Sequence, residues 1–253
     1  MHRLFPLFLI LLLLCSASTV QAGGKLRIAT EGAYPPFNYL DEDGDPAGFD
    51  VDIARALCEA MGASCSLRLM EWDGLLPGLT AGACDMVVAS MARTPERERL
   101  ADFSECYYRS RSAFVADPRR AFIQTPAGLA DKILAGQAGT VQADHLQANY
   151  GPTSKVVLVP TLPEAFRLLA ERKVDAVLAD CLTSYNFLQT AAGAPFDFVG
   201  APLPANDPSS RACIAVRKGN KELLDAVNAA IRTIRINGAY DRINRKYFPF
   251  SIY

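Results

Sequence analysis

Two stretches of this chain are written in the same order. Leu75 to Ser90 and Leu162 to Asp180 each run through a helix, a tight turn, an aspartate (Asp85, Asp175), a short apolar strand and a polar residue at its end (Ser90, Asp180). Apolar strands alternating with helices need cover on both faces, and that demand selects mainly parallel α/β sheets. Because the order occurs twice, the chain reads as two similar α/β lobes. In open sheets of this kind ligands sit beyond the carboxyl ends of the strands. The residues at those ends are Thr30 and Glu31, Ser90, Thr140 and Asp180, and two lobes whose strand ends face each other enclose a cleft.

The other segments fit this plan. Lys25 to Thr30 reads as a strand, Glu31 to Asn38 as a loop with two prolines, and Asp41 to Pro46 as a turn; Phe49 to Met61 carries apolar residues at helical spacing and stops at Gly62. Ser66 to Met70 and Asp85 to Ser90 read as strands, with a short helix over Leu75 to Ala81 between them. In the second copy a strand over Lys132 to Ala135 leads through a turn, Gly136 to Thr140, into a helix from about Gln142; Val156 to Val159 and Val174 to Leu178 are strands. Thr161 with Glu164 three residues later forms a capping box for a helix reaching Arg172. Ala212 to Val216 is a strand, followed by helices over Lys221 to Arg235 and Ala239 to Lys246. Two stretches read as crossings between the lobes: the aromatic, β-rich Glu105 to Ala116 and the proline-rich Ala201 to Ser210. The expected organisation is one discontinuous lobe of residues 23–110 and 211–253 and a second lobe of residues 111–210.

Residues 1–22 have the three parts of a secretory signal: His2 and Arg3, the apolar run Leu4 to Leu14, and the small-x-small site Val20-Gln21-Ala22. The run falls short of the roughly 20 residues of a spanning helix. A lipid anchor on Cys15 is disfavoured by Leu14, which stands where such signals carry a small residue. Cleavage after Ala22 removes one of 26 basic residues and none of 27 acidic ones, which gives no electrostatic footprint for nucleic acid or an anionic membrane. Six cysteines then remain in an oxidising compartment. Cys58 and Cys65 flank the helix stop at Gly62 and are expected to bridge; Cys84, Cys106, Cys181 and Cys213 are small buried hydrophobes or further bridges. They lack metal-ligand spacing, and outside the signal His145 is the one histidine, so neither a metal nor another cofactor is expected.

Arg97 lies in TPERER, where Thr94 looks like an N-cap and Pro95 like the first helical residue. Arg93 and Arg99 in the same string read as solvated charge. Arg97 stands on the first turn after a strand ending at the cleft, where a guanidinium fork can hold a carboxylate. Asp180 reads either as a helix N-cap or as the acid facing Arg97 across the gap. An acid and a base on opposite walls suit a zwitterion. Glu31, Tyr34 and Trp72 form a carboxylate with an aromatic pair, a seat for a cationic or planar group, against the alternative of loops packed by their own aromatics.

Taken together, TEGAYPPFN (Thr30 to Asn38), GFDVDIA (Gly48 to Ala54), the Cys58 and Cys65 pair, EWDGLLPGL (Glu71 to Leu79), TPERE (Thr94 to Glu98), QAGT (Gln137 to Thr140), VDAVLAD (Val174 to Asp180) and GAYDRINRKYF (Gly238 to Phe248) resemble the periplasmic polar-amino-acid-binding proteins of ABC importers, especially the histidine, lysine/arginine/ornithine and opine binders. The resemblance implies a two-lobed Venus-flytrap fold with two hinge crossings, a periplasmic location, a monomer, a small amino-acid ligand and an inner-membrane ABC permease as partner. It implies that Arg97 and the N–H groups of Ala92 and Val141 hold the ligand α-carboxylate. Asp180 and the Ser90 carbonyl would hold its ammonium, Tyr34 and Trp72 would sandwich its side chain, and Glu31 would read the far end. Gln137, Thr140 and Gln142 border the second wall. Ala92 and Val141 depart from the family's hydroxyl residues, which leaves room for an opine. The expectation is capture without chemistry; the rival is an enzyme on the same scaffold, resembling cyclohexadienyl dehydratase. A receptor's sensing part is a third reading, for which the sequence offers no transmembrane segment.

Overall fold

The computed structural model describes residues 25–204, 206–207 and 210–253, so the signal and its cleavage site lie outside the described residues. The chain opens with β1 (Leu26–Thr30) and a small antiparallel flap of β2 (Ala33–Tyr34), β3 (Asn38–Leu40) and β4 (Pro46–Ala47). It continues through α1 (Phe49–Met61), β5 (Cys65–Leu69), α2 (Trp72–Thr80), β6 (Met86–Val87), α3 (Pro95–Glu98) and β7 (Ala101–Arg109). The second set follows: β8 (Ser112–Ala116), β9 (Ile133–Gln137), α4 (Val141–Tyr150), β10 (Lys155–Val159), α5 (Leu162–Ala170), β11 (Ala176–Asp180), α6 (Cys181–Leu188) and β12 (Asp197–Val199). The chain ends with β13 (Arg211–Arg217), α7 (Lys221–Ile236) and α8 (Ala239–Tyr247).

Two five-stranded sheets carry the molecule, in the orders β5-β1-β6-β13-β7 and β10-β9-β11-β8-β12. Both are mixed: β1 pairs in parallel with β5 and β6, and β9 with β10 and β11, while β13 and β8 run against their neighbours. The reversed strand in each sheet is the one that arrives from the other sheet. Each sheet has an apolar core on both faces, as helices flanking an open sheet require. In the first, Ile53, Leu57, Val227 and Ile231 from α1 and α7 cover one face, and Leu75 and Leu79 from α2 the other. In the second, Leu162, Phe166 and Leu169 from α5 lie opposite Leu146 and Tyr150 from α4.

The aspartates of the two repeated stretches share one task. Asp85 Oδ2 accepts the N–H of Arg27 at 2.9 Å while the Asp85 N–H donates to the Arg27 carbonyl; Asp175 and Ile133 repeat both bonds at 2.9 and 2.7 Å. A side-chain carboxylate thus starts the parallel ladder in each lobe at the end where the backbone has no partner strand to extend it.

Local signals decide most boundaries. α1 ends at Gly62, which adopts φ 62 and donates its N–H to the Glu59 carbonyl, the left-handed stop that glycine takes without a Cβ penalty. The chain then turns back, and Cys58 bridges Cys65 across Cα atoms 6.2 Å apart. A second bridge joins Cys106 on β7 to its register partner Cys213 on β13, whereas Cys84 and Cys181 are free. The capping box at Thr161 does not form: Thr161 occupies the N-cap position without a side-chain bond. Pro163 removes one of the two N–H groups that a cap can serve, and Glu164 lies 3.6 Å from Arg167 instead. α2 starts at Trp72, three residues earlier than the spacing predicts, and β9 and β11 run two residues further, to Gln137 and Asp180. Those extensions bring three site residues onto regular elements rather than loops.

Candidate functional site

Glu31, Tyr34, Trp72, Ser90, Ala92, Arg97, Gln137, Thr140, Val141, Gln142 and Asp180 line one cleft, together with Ala89, Tyr108 and Ala212. The strand ends bring them there: Glu31 follows β1, Ser90 follows β6, Gln137 ends β9 and Asp180 ends β11. Tyr34 packs against the cores of both lobes. Ala89 and Ala212 have no polar signature in the sequence, and Tyr108 sits in a stretch that reads as a crossing. It is stacked on Phe37 with ring centroids 4.6 Å apart.

Arg97 is placed by α3, where Thr94 Oγ1 accepts the Arg97 N–H at 3.3 Å. Its guanidinium donates to the Ala92 carbonyl at 2.8 Å and, from the other lobe, to the Gly139 carbonyl at 3.0 Å, and it lies over the Trp72 ring at 5.3 Å. Burial is the main force on it and lowers its pKa to about 10, partly offset by Asp144 and Glu96, so it stays charged at neutral pH. A guanidinium has five N–H donors, which leaves it capacity for a carboxylate. Arg93 and Arg99 pair instead with Glu98 and Glu96 at exposed positions, as the charge-run reading expects.

The second wall is the start of α4. Thr140 Oγ1 accepts the N–H of Ala143 and donates to the Gln137 carbonyl, so the N–H groups of Val141 and Gln142 remain at the cleft end of the helix, where anions are favoured. The Gln142 amide donates to Ser112 Oγ at 2.9 Å. Gly139, which has φ 67, was not singled out by its residue type. Its carbonyl accepts both the Arg97 bond and one from Trp72 Nε1 at 2.9 Å. A Cβ there would stand 2.4 Å from Asp73 Oδ1 and 3.2 Å from Trp72, so a side chain would crowd this approach of the lobes and strain a backbone conformation that glycine takes freely.

Two carboxylates face the cleft, and neither forms an ion pair among the described residues. Burial pushes Glu31 up to about 7 against the amide of Gln137, which donates to Glu31 Oε1 at 2.6 Å across the cleft; Asp50 and Asp73 push the same way as burial. Burial also pushes Asp180 up to about 6, against hydrogen bonds from Ser110 and the N–H groups of Leu182 and Thr183. Asp180 Oδ1 accepts the Leu182 N–H at 2.8 Å. Both readings of this residue therefore meet, because it caps α6 and lines the cavity. His145, half-buried on α4 beside Tyr150, is not among the lining residues.

Behind the wall lies a group that the sequence reading passed over. Asp50, in the first turn of α1, accepts hydrogen bonds from Tyr107 Oη, Asn38 Nδ2 and Ser90 Oγ. First-turn acids are ordinary helix features, and Asp52 two residues on is such a one, paired with Lys246 and Tyr247. Only the distant segments that close over Asp50 distinguish them.

Known proteins share this fold. The chain is 38% identical over 256 residues to the L-arginine-binding protein of Pseudomonas aeruginosa, covering 100% of this chain and 99% of that one. Among solved structures, an ancestral arginine-binding protein bound to arginine superposes with a TM-score of 0.82 at 33% identity, covering 89% of this chain and 98% of that one. An ancestral amino-acid-binding protein described as a precursor of cyclohexadienyl dehydratase gives 0.78 at 29%, covering 89% and 96%. The sequence profile of the bacterial extracellular solute-binding proteins, family 3, matches residues 26–250. With that match over nearly all the described residues and a two-lobed α/β fold around one cleft, the chain belongs to the family 3 bacterial extracellular solute-binding proteins.

Proposed function

We propose that this protein captures an L-amino acid with a cationic side chain, arginine foremost, and presents it in the periplasm to an ABC permease, as a monomer and without chemistry. The observation that carries this reading is the charge pattern of the cleft: one charged guanidinium, Arg97, and two carboxylates, Glu31 and Asp180, raised to about 7 and about 6 by burial without a cation to offset it. A buried carboxylate without a cation is costly. A ligand with one anionic and two cationic groups answers all three at once, and arginine, lysine and ornithine are such molecules. The arginine-binding relatives support the same choice.

In this reading Arg97 and the N–H groups of Ala92 and Val141 hold the α-carboxylate, Asp180 and the Ser90 carbonyl hold the ammonium, Tyr34 and Trp72 enclose the aliphatic stem, and Glu31 with Gln137 receives the distal cation. Thr140 and Gln142 shape the second wall. Residues 1–22 act as the export signal, and residues 23–110 with 211–253 hinge against residues 111–210. The cleft acids each have a ligand group to meet, which leaves no spare acid or base for a dehydratase reaction.

Calorimetry and thermal shift with amino acids, polyamines and opines test this. Arginine, lysine or ornithine should raise the melting temperature as tight ligands do. Arg97→Ala, which strands a ligand carboxylate, should weaken binding by about 2 to 5 kcal/mol. Unchanged affinity in that variant, binding confined to opines, or turnover of prephenate or arogenate would each overturn the reading.

A further inference from the structure

Asp50 is 0% exposed and has no ion pair among the described residues, yet three separate segments donate to it. Tyr107 Oη of β7 reaches Oδ1 at 2.6 Å; Asn38 Nδ2 of β3 and Ser90 Oγ reach Oδ2, each at 2.8 Å. Burying a carboxylate with no counter-ion works against stability. What it gains here is a set of fixed connections, and two of them end at the cleft.

Ser90 lines the cleft and has φ 53, a left-handed conformation that non-glycine residues rarely take. Its hydroxyl donates to Asp50, and its N–H donates to Tyr107 Oη, which itself donates to Asp50. The Ser90 hydroxyl is thereby spent on the Asp50 carboxylate and its N–H on the tyrosine that carboxylate holds, leaving the carbonyl as the group Ser90 can offer. On the other side, Asn38 Oδ1 accepts the Gly32 N–H at 2.8 Å, next to Glu31. We propose that Asp50 is a positioning residue for ligand capture: from behind the wall it holds Ser90 in its left-handed conformation and fixes the Glu31–Gly32 turn relative to it, so that both meet one ligand. This rests on the reading of the cleft as a cationic amino-acid site.

The test is titration calorimetry with L-arginine well below the melting temperature, together with thermal melts. The unsubstituted protein comes first: no heat of binding would sink the arginine reading itself, apart from anything about Asp50. Given binding, Asp50→Asn keeps the volume but turns an acceptor oxygen into an amide that faces donors. It should raise the Kd about tenfold while the melt stays cooperative, because charge-assisted hydrogen bonds are lost at a desolvated site. A residue that only supports the fold would lower the melting temperature and leave the Kd of the folded protein within about twofold, and that result overturns the proposal. Ser90→Gly, which takes φ 53 without strain, supplies the route. Adding Asp50→Asn to it should cost about threefold or less, and an undiminished tenfold loss refutes action through Ser90. Should Asp50→Asn fail to fold, Tyr107→Phe decides. It removes one clamp and is expected to raise the Kd about threefold; an unchanged Kd counts against the proposal.

Discussion

The two lobes share a scaffold and differ in how they bring negative charge to the cleft. In each, an aspartate ties the start of a parallel strand, Asp85 to Arg27 and Asp175 to Ile133, and five residues later the chain reaches the cleft. Lobe 2 ends that run with Asp180, a carboxylate in the wall. Lobe 1 ends it with Ser90, whose hydroxyl leads back to a carboxylate behind the wall, Asp50. The comparison teaches how many charges a cleft can hold. Arg97, Glu31 and Asp180 sum to one negative charge when ionised, which a ligand of net charge +1 neutralises. A third carboxylate at position 90 would leave an excess charge in a desolvated space. Covalent support is just as uneven: both disulfides lie in lobe 1, and among the described residues lobe 2 has none.

The largest expected effect bears on that unevenness. Cys106–Cys213 spans 107 residues and Cys58–Cys65 spans 7. Loop-entropy arguments assign nearly 5 kcal/mol to the first link and about 2 kcal/mol to the second. Denaturant melts of Cys106→Ser/Cys213→Ser and Cys58→Ser/Cys65→Ser should show that ranking, with hydrogen exchange rising more in β1 and β13 than in β9 and β11. Equal losses, or exchange rising mainly in the second sheet, would break the contrast.

Next comes the charge in the wall. If Asp180 holds the ligand ammonium as proposed, Asp180→Ala should weaken arginine binding by about 2 to 5 kcal/mol. Ser90→Ala at the equivalent position removes one neutral donor to Asp50 and should cost about 0.5 to 1.5 kcal/mol. Calorimetry giving the two substitutions the same cost would mean that the lobes do not divide the work as their strand ends suggest.

How much of this was legible beforehand follows from the range over which each feature is decided. The repeated stretches, α1 with its stop at Gly62, the Cys58–Cys65 bridge and the strand-end positions of Ser90 and Asp180 are local in sequence, and the structure has them. All eleven predicted site residues line one cleft because strand ends converge in this kind of fold, a property of topology rather than of any single residue. The features that escaped depend on distant partners. Asp50 is set apart from Asp52 by Tyr107, 57 residues away, and Cys106 from a simple buried thiol by a register partner 107 residues on. Gly139 matters because Trp72 and Arg97 of the other lobe converge on its carbonyl. The failed capping box at Thr161 is a local signal overruled by its own neighbour, Pro163.

The smallest effect is the pH dependence of binding, and its sign separates the two walls. Glu31 and Asp180 hold protons up to about pH 7 and about pH 6. In the proposed reading a ligand cation pairs with the ionised forms, so protons compete with it. Affinity for arginine should therefore be full above about pH 8 and fall as pH drops through 7, first at the Glu31 wall and then near 6 at the Asp180 wall. A group one unit below its pKa is ionised about one part in ten, so the loss between pH 8 and pH 6 should be roughly tenfold or somewhat more. In Glu31→Gln the upper step should vanish, leaving only the decline near pH 6, with Asp50, also raised to about 6, contributing to that lower step. Calorimetry in buffers of different ionisation enthalpy would show proton release on binding near pH 7 in the parent and much less in the variant. A flat profile in the parent would show that Glu31 meets no cation, and the distal end of the ligand would then have to be neutral.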